Sequence, residues 1–367
     1  MDPRLRGNDV SLESIQLTDL ETISSSAHGA PTGFDPHLRS LPILILFPHN
    51  RCNCRCVMCD IWRIKQVREI TVDDLQAHVE SMRELQVRRV VFSGGEPQMH
   101  SDLAALCRLL RADGVRLTLL TAGLLLEAQA ATIAKTMDDV IVSLDGPPEI
   151  HNQIRRVHDA FETLARGVRS LREIRPQIEI RGRATVQKAN CTHLRAIVAA
   201  ARQLGLNSVS FLAADVTSEA FNRPGGWPTK RQGTVALGPE GIAALEQETE
   251  LLIEQHKEEI ESGFVVESAE KLRRIVRHFR VQLGELPPAA PTCNAPWVSA
   301  VIEADGSVRP CFFHRPIGNI HEKSLTEIIN GDPAVEFRRQ LDIPANSVCQ
   351  RCVCSLHLTP EETAQPE

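Results

Sequence analysis

The chain has 367 residues, 42% hydrophobic and 24% charged, with a formal net charge of −6. That is enough for one large or two medium domains with a sizeable core, and a net acidic chain without a dense Lys/Arg tract lacks the electrostatic footprint of a nucleic-acid binder. The N-terminus carries no apolar signal-peptide core, and Leu41 to Phe47 is far too short to span a bilayer, so a cytoplasmic location with no membrane association is expected.

Residues 1 to 40 are polar, rich in Ser, Thr and Asp and without sustained periodicity; they read as a partly disordered extension, too short for a peptide-binding domain. From Leu41 onward, apolar strand-like runs alternate with amphipathic helical stretches, the signature of a parallel sheet built from βα units. The predicted strands are Ile43 to Phe47, Val87 to Phe92, Val115 to Leu120, Asp139 to Leu144, Ile178 to Val186 and Ser208 to Ala213. Together they predict an α/β fold, a partial (β/α)6 TIM-type barrel over residues 41–262. Between the first two strands a helix opens at Thr71-Val72-Asp73-Asp74, a capping-box pattern, with Leu75, Val79, Met82 and Leu85 on one face. Leu103, Leu106 and Leu110 mark the next. In such barrels chemistry sits on the loops after the C-terminal ends of the strands.

Two motifs fall on those loops. Cys52, Cys56 and Cys59 are spaced C-x-x-x-C-x-x-C; a [4Fe–4S] cluster normally takes four Cys ligands, so three leave one iron open. The alternative is a structural zinc site, although no second Cys pair lies close by, and Cys54 is able to ligate in place of a neighbour. Gly94-Gly95-Glu96-Pro97 follows the second strand, where two glycines bring backbone close to a ligand. The three-Cys loop and the GGEP turn together resemble the radical S-adenosylmethionine (radical SAM) superfamily. The resemblance implies that the open iron is chelated by S-adenosylmethionine, whose ammonium is met by the Gly94-Gly95 backbone and the Glu96 carboxylate. It further implies a ribose contact at Ser143 and a methionyl carboxylate contact at Arg183, a guanidinium being suited to that pairing. Met58 stands where an aromatic is usual and fills the space beside the adenine; Ala122 stands where Asn is common.

After the barrel, a helical stretch with Ile242, Leu245, Leu252 and Ile260 leads into a basic segment, Lys271, Arg273, Arg274, Arg277, His278 and Arg280, and a linker at Leu286-Pro287-Pro288, together 263–288. This basic face is a candidate dock for an acidic electron donor, a flavodoxin or ferredoxin, a solvated helix face being the alternative. Cys293 and Cys311 then flank a predicted hairpin, Val298 to Glu303 and Ser307 to Phe312, turning at Asp305-Gly306. Cys349 and Cys352 follow a helix around Ser324 to Ile329. The Cys, hairpin Gly and following Cys resemble the auxiliary-cluster domain of SPASM and Twitch radical SAM enzymes. On that resemblance, residues 289–357 hold one auxiliary [4Fe–4S] cluster, Twitch-like, on Cys293, Cys311, Cys349 and Cys352. A zinc ribbon is the alternative, Cys354 is left over, and 358–367 is a tail.

The implied reaction is reductive cleavage of S-adenosylmethionine and hydrogen abstraction from a substrate carbon. A small alcohol or sugar-like substrate is favoured, with the auxiliary cluster taking an electron; maturation of a ribosomally made peptide, or epimerisation or rearrangement, is the alternative. Cys191, near the barrel mouth, is a weak candidate hydrogen donor, and Cys107 reads as core.

Overall fold

The computed structural model describes residues 35–359; the readings of residues 1–34 and of the end of the tail lie outside the described residues. Nine strands make one sheet in the order β6-β5-β4-β3-β2-β1-β7-β8-β9. They are β1 (Ile43–Leu46), β2 (Arg89–Phe92), β3 (Arg116–Thr121), β4 (Asp139–Ser143), β5 (Glu179–Val186), β6 (Ser208–Ala213), β7 (Ser299–Ile302), β8 (Ser307–Arg309) and β9 (Gly318–Asn319). The first six are parallel neighbours, the partial barrel the alternation predicts.

Side-chain alternation places Val90, Phe92, Leu117, Leu119, Val140, Val142, Ile180 and Val186 in the apolar layer under the helices, all of them fully buried. The opposite face, the barrel interior, carries polar groups that are paired. Arg181 meets Asp139 at 2.6 Å, and the Thr118 hydroxyl donates to the same carboxylate at 3.1 Å. Arg183 and Thr185 follow Arg181 on this face, nearer the strand's C-terminal end.

The helix opening at Thr71 has the expected capping box with Asp74, but it is two short helices, Val72–Gln76 and Val79–Glu84. The break falls where His78 turns inward to use both ring nitrogens on the C-terminal module, with the Ile320 carbonyl at 3.0 Å and the Leu325 N–H at 3.2 Å.

The predicted hairpin is present but does not stand apart from the barrel. β7 pairs in parallel with β1, Ile43 opposite Ser299, so the C-terminal module extends the barrel's own sheet. Its strands are shorter than predicted for local reasons. Pro296 starts a helical turn, Ala295–Val298, and Pro310, which lacks an N–H, follows the last residue of β8. The segment 263–288, expected as a basic helix and linker, folds its helix Ala269–Gln282 into the core through buried Leu272, Ile275, Val276 and Phe279. Arg273 pairs with Glu250 and Arg280 with Glu246, each at 2.7 Å, so much of the expected basic face is neutralised.

Candidate active site at the barrel mouth

The loop after β1 is irregular, yet its backbone is tied down from three sides. The Arg51 carbonyl accepts from Glu96 N–H at 2.7 Å, Arg55 and Val57 donate to the Arg155 and Ile154 carbonyls at 3.2 and 3.1 Å, and Asp60 donates to Phe221 at 3.1 Å. This brings Cys52, Cys54, Cys56 and Cys59 together, with Cys54 and Cys56 buried. The Cys54 thiol is hydrogen-bonded to those of Cys52 and Cys56; these hydrogen bonds raise its own pKa and lower that of Cys56 to about 6, while burial pushes Cys59 up to about 12.

Behind the loop, Gly95 is packed so tightly that a Cβ there would lie 1.9 Å from the Arg51 carbonyl oxygen, and Gly94 has a φ of +102°. Only glycines permit this stacking of turn on loop. The Glu96 carboxylate is turned inward. It is fully buried and accepts from the Thr121 hydroxyl at 2.8 Å, Ala122 N–H at 2.8 Å and Gln98 N–H at 3.3 Å. Burial raises its pKa, against the pull of those three donors. Its carbonyl lies 2.5 Å from His49 Nε2, while His49 Nδ1 accepts from Arg51 N–H at 3.0 Å, which assigns the Nε2–H tautomer. Glu96 therefore braces the turn against β3, and His49 braces turn and Cys loop together. Its position directly before the Cys loop was the available sequence signal.

Pro97 is buried in the short helical turn that follows. Ser143, half-buried, ends β4 directly opposite Arg183 of β5. Arg183 has its Nε 3.4 Å from the Ser210 hydroxyl, and burial lowers its pKa. Met58 packs both on the cysteine cluster and on the cluster containing Trp227. Cys191 is buried. It is packed in the main core with its thiol donating to the Lys188 carbonyl at 3.5 Å. Cys107 is core, fully buried.

Two groups escaped the sequence reading. Asp60, next to Cys59, receives Trp227 Nε1 at 2.6 Å and Arg231 Nη2 at 2.7 Å, latching the long loop after β6 onto the cysteine loop. Arg155 places Nη1 at 3.6 Å from Cys56 Sγ and Nη2 at 2.6 Å from Asp145 Oδ2. No sequence spacing announces either, because Trp227 and Arg231 lie more than 160 residues from Asp60 and Cys56 lies 99 residues from Arg155.

In the C-terminal module Cys293, Cys311, Cys349, Cys352 and Cys354 lie within one another's electrostatic reach. Burial, with some contribution from neighbouring thiols, pushes Cys311 up to about 11 and Cys349 up to about 12, and Cys352 also rises through burial and Cys354. Cys354 therefore belongs to this set spatially. Among the described residues no three potential ligands stand at metal-binding geometry. The fit of the two sites to iron–sulfur clusters rests on donor chemistry: clustered, largely buried soft thiols, whose protons a bound metal would displace.

A cavity of about 1030 Å³ is lined by His49 and Gly95, which flank the cysteine loop, and by Cys352 of the second thiol set. Phe47, Phe312, Phe313 and Phe221 line it, together with Arg315 and Arg351.

Family models match here in two places: the radical SAM superfamily over residues 46–182 and the SPASM iron–sulfur cluster-binding domain over residues 293–353. The chain is a radical SAM protein with a C-terminal SPASM domain. These domains imply S-adenosylmethionine and two [4Fe–4S] clusters as its cofactors. It is 30% identical over 160 residues to an Fe-coproporphyrin III synthase of Methanosarcina barkeri, covering 42% of this chain and 40% of that one. It is 28% identical over 159 residues to an AdoMet-dependent heme synthase of Oleidesulfovibrio alaskensis, again 42% and 40%. The match thus spans about two fifths of these curated relatives. Among solved structures, anSMEcpe with bound AdoMet has the same fold at a TM-score of 0.62 and 21% identity, over 84% of this chain and 86% of that one. Among the described residues no helix is long and apolar enough to cross a membrane.

Proposed function

We propose that this protein is an oxidoreductase that removes hydrogen from a carbon of a metabolite held between the barrel mouth and the SPASM domain. One observation supports this above the others: the same cavity is lined by Gly95 of the glycine turn and by Cys352 of the auxiliary set. When bound, S-adenosylmethionine and the two clusters supply one-electron chemistry, a reductive cleavage that starts hydrogen abstraction and an acceptor for the electron left on the substrate. The chain's own residues hold and orient. Cys52, Cys56 and Cys59 ligate the open-site cluster, and Cys293, Cys311, Cys349 and Cys352 the auxiliary one. The Gly94 and Gly95 backbone receives the methionyl ammonium, Arg183 the carboxylate and Ser143 the ribose, with Met58 against the adenine. Phe312 and Phe313 exclude water from the substrate side.

A small alcohol or sugar-like substrate is the first reading, with a flavodoxin or ferredoxin as electron donor in a cytoplasmic setting. A second reading has its own support. Ring centroids run Phe47 to Phe312 at 6.0 Å, Phe312 to Phe313 at 6.4 Å and Phe313 to Phe221 at 6.4 Å, an aromatic surface beside Arg315 and Arg351. Such a surface suits a flat conjugated carboxylate, the chemistry named by the coproporphyrin and heme synthase relatives. The deciding experiment incubates reduced, reconstituted protein with S-adenosylmethionine and each substrate class, measuring 5′-deoxyadenosine and product together. Stoichiometric formation with polyols or sugars supports the first reading, and with porphyrin carboxylates the second; formation only with a peptide overturns both.

A further inference from the structure

We infer that Arg155 is a positioning residue that raises the reduction potential of the cluster on Cys52, Cys56 and Cys59, by donating a charged hydrogen bond to the Cys56 sulfur. Arg155 ends the helix Pro148–Arg155, whose last carbonyls also receive the Arg55 and Val57 N–H groups. Guanidinium and cysteine loop are thus registered by the same helix end. The side chain is 10% exposed, with Nη1 3.6 Å from Cys56 Sγ and Nη2 2.6 Å from Asp145 Oδ2. Asp145 is fully buried and held in turn: Thr185 N–H donates to its carboxylate at 2.9 Å, and Asn190 donates to its carbonyl at 2.9 Å.

A buried ion pair is weak support for stability, since desolvation offsets most of its Coulomb energy. The placement is informative for another reason. Arginine does not deprotonate in proteins, so a permanent cation is held against one thiolate by a carboxylate that aims it. Reduction adds one electron, supplied by the external donor, to an already anionic thiolate-bound cluster. A charged N–H···S bond favours the more negative, reduced form, and hydrogen bonds to sulfur are among the factors that set cluster potentials.

The inference rests on the assignment of Cys52, Cys56 and Cys59 to that cluster, which iron content and the loss of one cluster signal in C52A/C56A/C59A test separately. The inference itself is tested by EPR-monitored redox titration of reconstituted wild type, R155Q and R155K. The titration is run without S-adenosylmethionine and follows the signal that changes shape when it is added. In R155Q the iron content is expected to stay constant and the ratio of reduced to oxidised cluster at a fixed donor potential to fall about tenfold, a downward shift of about 59 mV for one electron. R155K should recover part of it. An unchanged potential with weakened S-adenosylmethionine binding would overturn the inference and make Arg155 a ligand contact. If R155Q fails to retain iron, wild type labelled with nitrogen-15 arginine decides: pulsed EPR of the reduced cluster should show coupling to an arginine nitrogen, and its absence overturns the inference.

Discussion

Cys52, Cys54, Cys56 and Cys59 come from one stretch of eight residues, whereas Cys293, Cys311, Cys349, Cys352 and Cys354 come from three separated segments. The first set is held by backbone hydrogen bonds from the glycine turn, the helix Pro148–Arg155 and the loop after β6. The last segment of the second set has one short helical turn, Cys349–Arg351, and is tied down near its end by Asn294 through bonds of 2.7 to 2.9 Å to Leu356 and Leu358. A preformed loop awaits its metal; a segment whose hydrogen bonds run mostly to its own near neighbours in sequence draws folding energy from it. The difference predicts that the open-site loop is structurally indifferent to cluster loss and the SPASM domain is not.

The sharpest break would come from the first set. C52A/C56A/C59A is expected to lose one cluster signal and all 5′-deoxyadenosine formation with dithionite, with its melting temperature nearly unchanged, while C54A keeps both activities of the loop. A large drop in melting temperature for the triple variant would erase the contrast. C293A/C311A should show the opposite pattern. Iron should fall from about eight to about four per chain, thermal stability should fall, and limited proteolysis should cut within 341–359, while 5′-deoxyadenosine still forms and oxidised product does not. About four irons with one zinc in wild type would instead make the second site a zinc site.

Acid provides a graded test of the polar network behind the first set. Burial lowers His151 to about 4, and His278 likewise to about 4. Both imidazoles stay neutral in the folded chain at pH values where the unfolded chain's are charged. The unfolded state then binds more protons, so stability falls as pH drops from 6.5 towards 4. For His151 this amounts to about 3 kcal/mol at the acid end, read from urea midpoints; H151Q should flatten the slope.

Glu96→Ala leaves the Thr121, Ala122 and Gln98 donors unsatisfied, a cost of about 1–3 kcal/mol. Stability should fall with iron content intact, and S-adenosylmethionine affinity should fall with it because the turn loosens. Unchanged stability would count against the bracing role. The smallest effect is expected on the helix Ala269–Gln282. Exposed pairs such as Arg273–Glu250 contribute about 0.2–1 kcal/mol, and Arg277 is engaged by the Pro287 carbonyl at 3.0 Å. If the face docks a flavodoxin or ferredoxin, R274E/R277E should slow turnover with the protein donor in a salt-dependent way and leave dithionite-driven turnover alone.

The strands of the barrel were legible within two residues of their ends because a buried strand writes its period into consecutive residues, as Val140 and Val142 do in β4. The cysteine loop and the glycine turn were legible because their chemistry is local: three thiols within one turn's reach, and two glycines at a strand end. What stayed hidden depends on which distant group fills a site. The inward turn of Glu96 needs Thr121 and Ala122 from the next strand; Arg155 needs Asp145 on one side and Cys56 on the other. The pairing of β7 with β1 is a contact across some 250 residues of chain, and the neutralised basic helix needs the carboxylates of Glu246 and Glu250 beside it. Spacing and periodicity determined where the thiols, the glycines and the sheet lie. Only the tertiary structure decided which carboxylate braces, which guanidinium faces sulfur, and that Cys352 of the second thiol set opens on the same cavity as Gly95 of the glycine turn, because hydrogen bonds and ion pairs form between groups that the chain order keeps apart.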